Sequence, residues 1–374
     1  MIRLRILHET NPRKYFPALF ELAEAGQVQL VGAHRYSVAK EFLRAALRDR
    51  TPLAERLKNA AGDALFRLKL PVVRGEVVVM GFAPWDPRLL IYRGLARRNR
   101  VIYHTSWHDW GLERTPRQPK PAAFRLWLRD RWLSFLAHPN VTTVAVTPVV
   151  AEAVQAEAGI RATVIPHAVP DVFFAAGAAA AGARAGREGP LRLLYVGEVS
   201  EKKGIALLLQ MMSALAGQGV TLTVVGDGPL AGAVKARAGQ GASGVTFLGP
   251  VRDRAELARI MADHDMLVLL SQRTETWEEL FGIVVVEALA AGLAVLATTH
   301  VGPRGILAPV GGAGLFDQDD HAGISAQIIR LAGDRAALAD LRDTQAPVAA
   351  DYAIPRVRAS WQAVIEQAAG GPHP

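Results

Sequence analysis

Two glutamates eight positions apart, Glu279 and Glu287, stand on either side of a Phe281-Gly282 turn. They lie in the stretch Ser271–Gly292, which reads SQRTETWEELFGIVVVEALAAG. A carboxylate accepts several hydrogen bonds and suits the vicinal hydroxyls of a sugar or a ribose. Eight residues of ideal helix would separate the two by roughly 12 Å and about 80° of rotation. The turn shortens that path, so both can face one elongated ligand from opposite ends. Gly282 lets a ligand approach the backbone, and the helix starting beside it offers unpaired N–H groups to a phosphate. This chemistry suits a sugar joined to a phosphate.

The elements that must position these residues are legible on both sides. Met266–Leu270 (MLVLL) is a short apolar run of the kind that forms a buried parallel strand. Strand, loop and helix in that order put the glutamates at the carboxyl end of a strand, where α/β folds bind ligands. The segment E-L-F-G-I-V-V-V-E-A-L-A-A-G resembles the E-x7-E signature of retaining glycosyltransferases of family 4. Members of that family have the GT-B fold, two Rossmann-like domains whose parallel sheets face a central cleft. The resemblance implies that Glu279 contacts the donor sugar and Glu287 holds the nucleotide ribose. It also places Leu280, Phe281 and Gly282 against the donor.

Upstream, L-R-L-L-Y-V-G is a strand ending at Gly197, and the following E-V-S-E-K-K-G resembles the family's G-R-L-x-x-x-K-G diphosphate motif. Lys203 matches the lysine, while Glu198 stands where the family has arginine. A carboxylate there would repel a diphosphate, so either Glu198 turns away or a cation such as Lys202, Arg273 or Arg304 compensates. Val220–Val225 ends in G-D-G-P-L, which resembles the family's V-G-D-G-P, puts Gly226 beside the donor and leaves Asp227 as a helix cap. Gly249-Pro250-Val251, after the strand Val245–Leu248, resembles the loop that packs on the nucleotide base, implying a contact at Val251. After a strand at Leu293–Ala297, Gly305 occupies the place of a glutamate in the family's G-G-x-x-E loop. The resemblance is clearest from Leu191 to Leu307.

The first half reads as a second alternating pattern. Strands are expected at Leu4–Leu7, Val28–Gly32, Glu76–Met80, Arg100–Tyr103 and Val141–Thr147, with a helix at Pro17–Ala25. The loop HETNPRKYF carries no glycine where related enzymes often have a glycine-rich donor loop, though Lys14 could face a phosphate. His104 directly follows a strand, and the family often has a histidine there beside the donor sugar; His108 is the rival position. Residues 39–69 read as basic amphipathic helices. In Phe124–Leu136, Phe124, Leu128, Trp132 and Phe135/Leu136 form one stripe, which suits either packing on a sheet or contact with lipid.

At 374 residues, half of them apolar and 21% charged, the chain suits two globular domains. It has no apolar run long enough to span a membrane, no start resembling a signal peptide, and no cysteine for disulfide or thiolate chemistry. A cytoplasmic location is the expectation. Residues 1–168 carry 26 Lys/Arg against 14 Asp/Glu, while the remainder is slightly acidic. The basic half is a candidate for contact with anionic lipid, nucleic acid or an anionic substrate.

The expected division is an N-terminal acceptor domain over 1–174, a Gly/Ala-rich linker over 175–190, a nucleotide-sugar domain over 191–353, and a closing helix over 354–374 that crosses back to the first domain. The implied reaction is retaining transfer from a nucleotide-diphosphate sugar to a glycan or lipid-linked acceptor. No divalent metal is expected, since no D-x-D pair ends a strand; no cofactor and no nucleic-acid partner are expected either. The alternatives are a GT-B non-transferase such as a sugar-nucleotide epimerase, and a non-catalytic basic protein that binds membrane or nucleic acid.

Overall fold

The computed structural model describes residues 1–9, 12–35, 53–111, 121–241, 243–275 and 277–370. The side chain of Lys14, residues 39–52 of the expected basic helices, residues 112–120, and residues 371–374 of the expected closing helix lie outside the described set. The chain forms two compact units: residues 1–168 with the closing helix Ile354–Gly370, and Val169–Ala353.

In the first unit six parallel strands are arranged in the order β2-β1-β3-β4-β5-β6. They are β1 (Ile2–His8), β2 (Val28–Arg35), β3 (Val77–Met80), β4 (Arg100–Thr105), β5 (Val141–Ala145) and β6 (Ala162–Val164). Both faces of this sheet are covered at its centre, which is why β3 (VVVM) is apolar throughout, whereas β1 alternates Arg3 and Arg5 with apolar residues at its amino end. Leu4, Ile6, Val79 and Ile102 pack on Phe16, Leu19, Trp361 and Ile365. Leu7, Val78, Met80 and Tyr103 pack on Trp85, Trp110, Leu128 and Trp132.

Helix Ala122–Leu136 supplies Leu128, Trp132, Phe135 and Leu136 to that second core. These four residues of the stripe therefore serve the fold and are not a lipid-facing surface, while Phe124 lies outside this core and stacks on exposed Trp127. Trp132 is fully buried, its ring 5.4 Å from Tyr103 and its indole N–H donating to the Asp86 carbonyl at 3.1 Å. A buried indole needs such an acceptor, and this pairing fixes the helix on the sheet.

The second unit is a sheet of order β12-β11-β10-β7-β8-β9, again all parallel. Its strands are β7 (Leu191–Glu198), β8 (Val220–Asp227), β9 (Val245–Gly249), β10 (Met266–Leu269), β11 (Ala294–Thr298) and β12 (Leu315–Phe316). The first strand in sequence, β7, lies between β8 and β10. The connections therefore leave it in opposite directions, and a crevice opens at the strand carboxyl ends between β7 and β10.

Two of the expected boundaries are corrected. The first unit ends at Ala168, not at residue 174, since Phe173 is buried in the second unit beside Arg254. The segment Ala175–Pro190 is no linker: Asp171–Ala185 is a helix. Its alanines are the strongest helix formers. Gly177 lets it cross closely over the backbone of Ala290 and Ala291, where a β-carbon would fall 2.6 Å from a carbonyl oxygen. Near the helix end, buried Arg184 donates to the carbonyls of Ala262 and Ala291 at 2.9 and 2.8 Å. Among the described residues no helix is long and apolar enough to cross a membrane.

Candidate functional site

The loops after β7 and β10 meet at the switch point of the second sheet. Gly204 makes the meeting possible. Its φ is +73°, and a β-carbon there would lie 1.8 Å from the Leu270 carbonyl oxygen, so only glycine fits. The backbone N–H of Gln272 then donates to the Lys202 carbonyl at 2.8 Å, tying the two loops together. Gly226 does the same work one strand over, with φ +147° and a virtual β-carbon 1.8 Å from the Gly197 carbonyl oxygen. Gly197, Glu198, Lys203, Gly226, Leu280, Phe281 and Gly282 are thus gathered along the carboxyl ends of β7, β8 and β10. Val251 follows β9 at the sheet edge and is half-buried.

Gly282, at φ +70°, is the N-cap of helix Ile283–Ala290, and no side chain caps that end. Phe281 is buried, and its backbone presses on Gly302, where a β-carbon would come within 2.4 Å. The glutamate loop is held from below by His300. Its Nδ1 accepts from the backbone N–H of Glu279 at 3.3 Å, and its Nε2 faces the Ser271 carbonyl at 2.6 Å. These two bonds require the neutral Nε2–H tautomer. Burial lowers the pKa of His300 and favours the same neutral form.

Charge at the site is arranged in pairs. Lys203 Nζ donates to Glu279, and its ammonium also lies 4.9 Å from the Trp277 ring centroid. Arg254, the first residue of helix Arg254–Ala262, donates to Glu287, which is 3% exposed. Arg273 donates to Glu278 at 2.7 Å. Lys202 lies 3.0 Å from Glu198. The carboxylate at the arginine position is therefore neutralised by its own i+4 neighbour. That leaves Arg304, exposed on helix Val301–Leu307, without an ion pair among the described residues.

Four residues of this arrangement were not singled out from the sequence. Arg254 and His300 could not be, because their roles depend on contacts 33 and 21 positions away in the chain. Trp277 stands in the quoted stretch but has no spacing that marks it. Ser200 lies inside the diphosphate-type motif; its buried hydroxyl has no hydrogen-bond partner, an unsatisfied group beside Lys203. His104 belongs to the other unit. It is 4% exposed at the end of β4, with its ring 4.9 Å from Phe16, 5.5 Å from His167 and 5.9 Å from Trp361. Burial, reinforced by His167 and His8, holds its pKa well below the usual histidine value. His108 lies in the loop beyond and is half-buried.

Residues 190–334 match the family model described as "Glycosyl transferases group 1". The second unit carries a glycosyl transferases group 1 domain. Over 145 residues the chain is 34% identical to the phosphatidyl-myo-inositol mannosyltransferase of Mycolicibacterium smegmatis, covering 38% of this chain and 36% of that one. The match thus spans about a third of that relative's length.

Across nearly the whole chain the fold is GT-B. It superposes on the sucrose-phosphate synthase of Thermosynechococcus elongatus with a TM-score of 0.67 at 18% identity, covering 98% of this chain and 99% of that one. It also matches Anabaena Alr3699/HepE, solved in complex with UDP, with a TM-score of 0.65 at 15% identity and coverage of 98% and 100%.

Proposed function

We propose that the protein is a retaining, metal-independent glycosyltransferase that moves a sugar from a nucleotide-diphosphate donor to a hydroxyl of a glycan or lipid-linked acceptor. The observation that carries this reading is the pair of stitched loops at the switch point. They set a lysine, a partnerless serine hydroxyl and an uncapped helix N-terminus beside two glutamates. A donor's diphosphate would meet Lys203, the Ser200 hydroxyl, the helix N–H groups and Arg304. Glu287 would accept from the ribose hydroxyls, and Glu279 from the sugar.

In this mechanism the acceptor oxygen forms its bond to the anomeric carbon on the face from which the diphosphate leaves. The pair of electrons in the breaking C–O bond passes to the diphosphate, whose oxygen takes the acceptor's proton. The protein's contribution is electrostatic: fixed donors aimed at the charge that grows on the leaving group. The basic first unit would take the acceptor, with His104 its candidate contact to the sugar. The mannosyltransferase relative, named for a phosphatidyl-inositol substrate, supports a lipid-linked acceptor, and the excess of Lys/Arg in residues 1–168 supports contact with an anionic membrane in cell-surface glycan synthesis. A thermal-shift screen against UDP, GDP, ADP and their sugars tests the reading, followed by determination of the product's anomeric configuration. Stabilisation by none of these nucleotides, or an inverted product, would contradict it.

A further inference from the structure

A second concave site lies in the first unit, at the amino ends of β1 and β3. These are the opposite ends of the strands from those that carry His8 and His104. Its volume is about 530 Å³, and its lining is strongly basic: Arg3, Arg5, Lys69 and Arg74, with Glu76 the only carboxylate among the lining residues. The proposed glycosyl transfer does not use it.

The inner wall is a built arrangement. Glu76 is almost fully buried and accepts from Arg3 at 2.9 Å and twice from Arg5, at 2.6 and 3.0 Å. The remaining Arg5 nitrogen lies 2.9 Å from His34 Nε2. An arginine can only donate, so this ring nitrogen accepts and the His34 proton sits on Nδ1, 3.5 Å from Asp63. Phe66 stacks on the His34 ring at 4.2 Å with an interplanar angle of 2°, and the Arg5 guanidinium lies 5.0 Å from the same phenyl. Gly32 leaves room for this pairing, since a β-carbon there would fall 2.6 Å from both Arg5 and His34.

Arg5 is therefore spent on the wall, whereas Arg3 is half exposed with a single bond to Glu76. Lys69 and Arg74 are exposed at the rim and engage no carboxylate among the described residues. Among the lining residues four cations face one carboxylate, Glu76, which leaves an unbalanced positive charge in a concave site.

We propose that this pocket binds a phosphate group, with Arg3, Lys69 and Arg74 closing on its oxygens. Charge-assisted donors converging from three sides suit a phosphate's several acceptors. The group could belong to a soluble phosphate ester or to an anionic lipid headgroup. The exposed Leu65, Leu68 and Val72 beside the rim fit the second source.

The test titrates the full chain with inorganic phosphate by calorimetry and sediments it with vesicles of phosphatidylglycerol or of phosphatidylcholine alone. Lys69→Gln with Arg74→Gln changes only exposed side chains and should leave the melting temperature unchanged. It should lower phosphate affinity at least about tenfold, and Arg3→Gln should lower it again. Loss of sedimentation with phosphatidylglycerol in the same variants, together with competition by phosphate, assigns the site to a headgroup. Phosphate binding that needs these residues, without vesicle binding, assigns it to a soluble ester. Equal phosphate and vesicle binding by wild type and variants, or no binding by either, overturns the proposal.

Discussion

Lys203 and Glu279 form an ion pair across 76 positions of sequence, joining the loop after β7 to the loop after β10. The lysine expected to neutralise a diphosphate is thus already neutralised by the glutamate expected to hold the sugar. Donor binding must share or exchange this contact, which links the grip on the diphosphate to the placement of the sugar.

Glu279→Gln removes the competing charge while keeping the shape. Nucleoside diphosphate affinity should be unchanged or slightly higher, and turnover should fall. Lys203→Gln should weaken the same nucleotide by about 1.5–3 kcal/mol, the loss of a charge-assisted hydrogen bond. Calorimetry and initial rates separate the two effects. Equal losses of affinity in both variants would refute this division of roles.

Glu287 presents a different case because it is buried and held by a half-exposed arginine. Glu287→Gln should weaken nucleotide binding by roughly 1–3 kcal/mol if the carboxylate accepts from the ribose. Arg254→Ala should cost about 1–2 kcal/mol of folding stability, less than for a fully buried pair because solvent screens the arginine. Urea midpoints measure the second effect, and an unchanged midpoint would mean that the pair is energetically idle.

Gly204→Ala should be more damaging than its size implies. The new methyl would overlap the Leu270 carbonyl and force a left-handed backbone on alanine. Loss of nucleotide binding, with a melting temperature lowered by several degrees, is expected. Wild-type affinity in this variant would show that the two loops need not touch.

The response to acid should come partly from histidines that the fold keeps neutral. Burial lowers the pKa of His104 and His300, and takes His167 from 6.5 down to about 4. A depressed histidine stabilises the fold fully above the unfolded value. That contribution drains away as pH falls from about 6.5 through the folded value, because the unfolded chain binds the proton first. For His167 alone the loss is on the order of 3 kcal/mol by pH 4. Urea titrations at pH 7.5, 5.5 and 4.5 should show a shallower decline in His167→Gln than in wild type. Parallel declines would remove His167 from the account.

Neutralisation of the leaving diphosphate by side chains and helix N–H groups predicts full transferase activity in excess EDTA. A requirement for magnesium or manganese would mean that Lys203 and Arg304 do not carry that charge.

The sheets were legible in the sequence where strands are buried on both faces and therefore read as unbroken apolar runs, as in VVVM of β3 and MLVL of β10. The edge strands β6 and β12, three and two residues long, leave no such signal. The alanine-rich segment misled because glycine and alanine together suit a flexible connection as well as a closely crossing helix. Only the neighbour against Gly177 distinguishes the two. At the site, the residues singled out are adjacent in sequence, whereas Arg254, which pairs with Glu287, and His300, which holds the Glu279 backbone, come from elsewhere in the fold. Glu198 looked like an obstacle because its neutralising partner Lys202 was one of several candidate cations.

The closing helix Ile354–Gly370 lays Val357, Trp361 and Ile365 on the sheet that Leu4, Ile6, Val79 and Ile102 begin. On the ribosome, residues 1–168 therefore emerge with this face covered only in part, by Phe16, Leu19 and their neighbours, and the rest stays open until residues 354–370 are made. The second unit, built from the continuous segment Val169–Ala353, has its whole sequence available earlier. Domains usually mature in the order they are synthesised. Here the later unit can finish first, and the basic unit spends the interval with apolar surface exposed to chaperones and to aggregation.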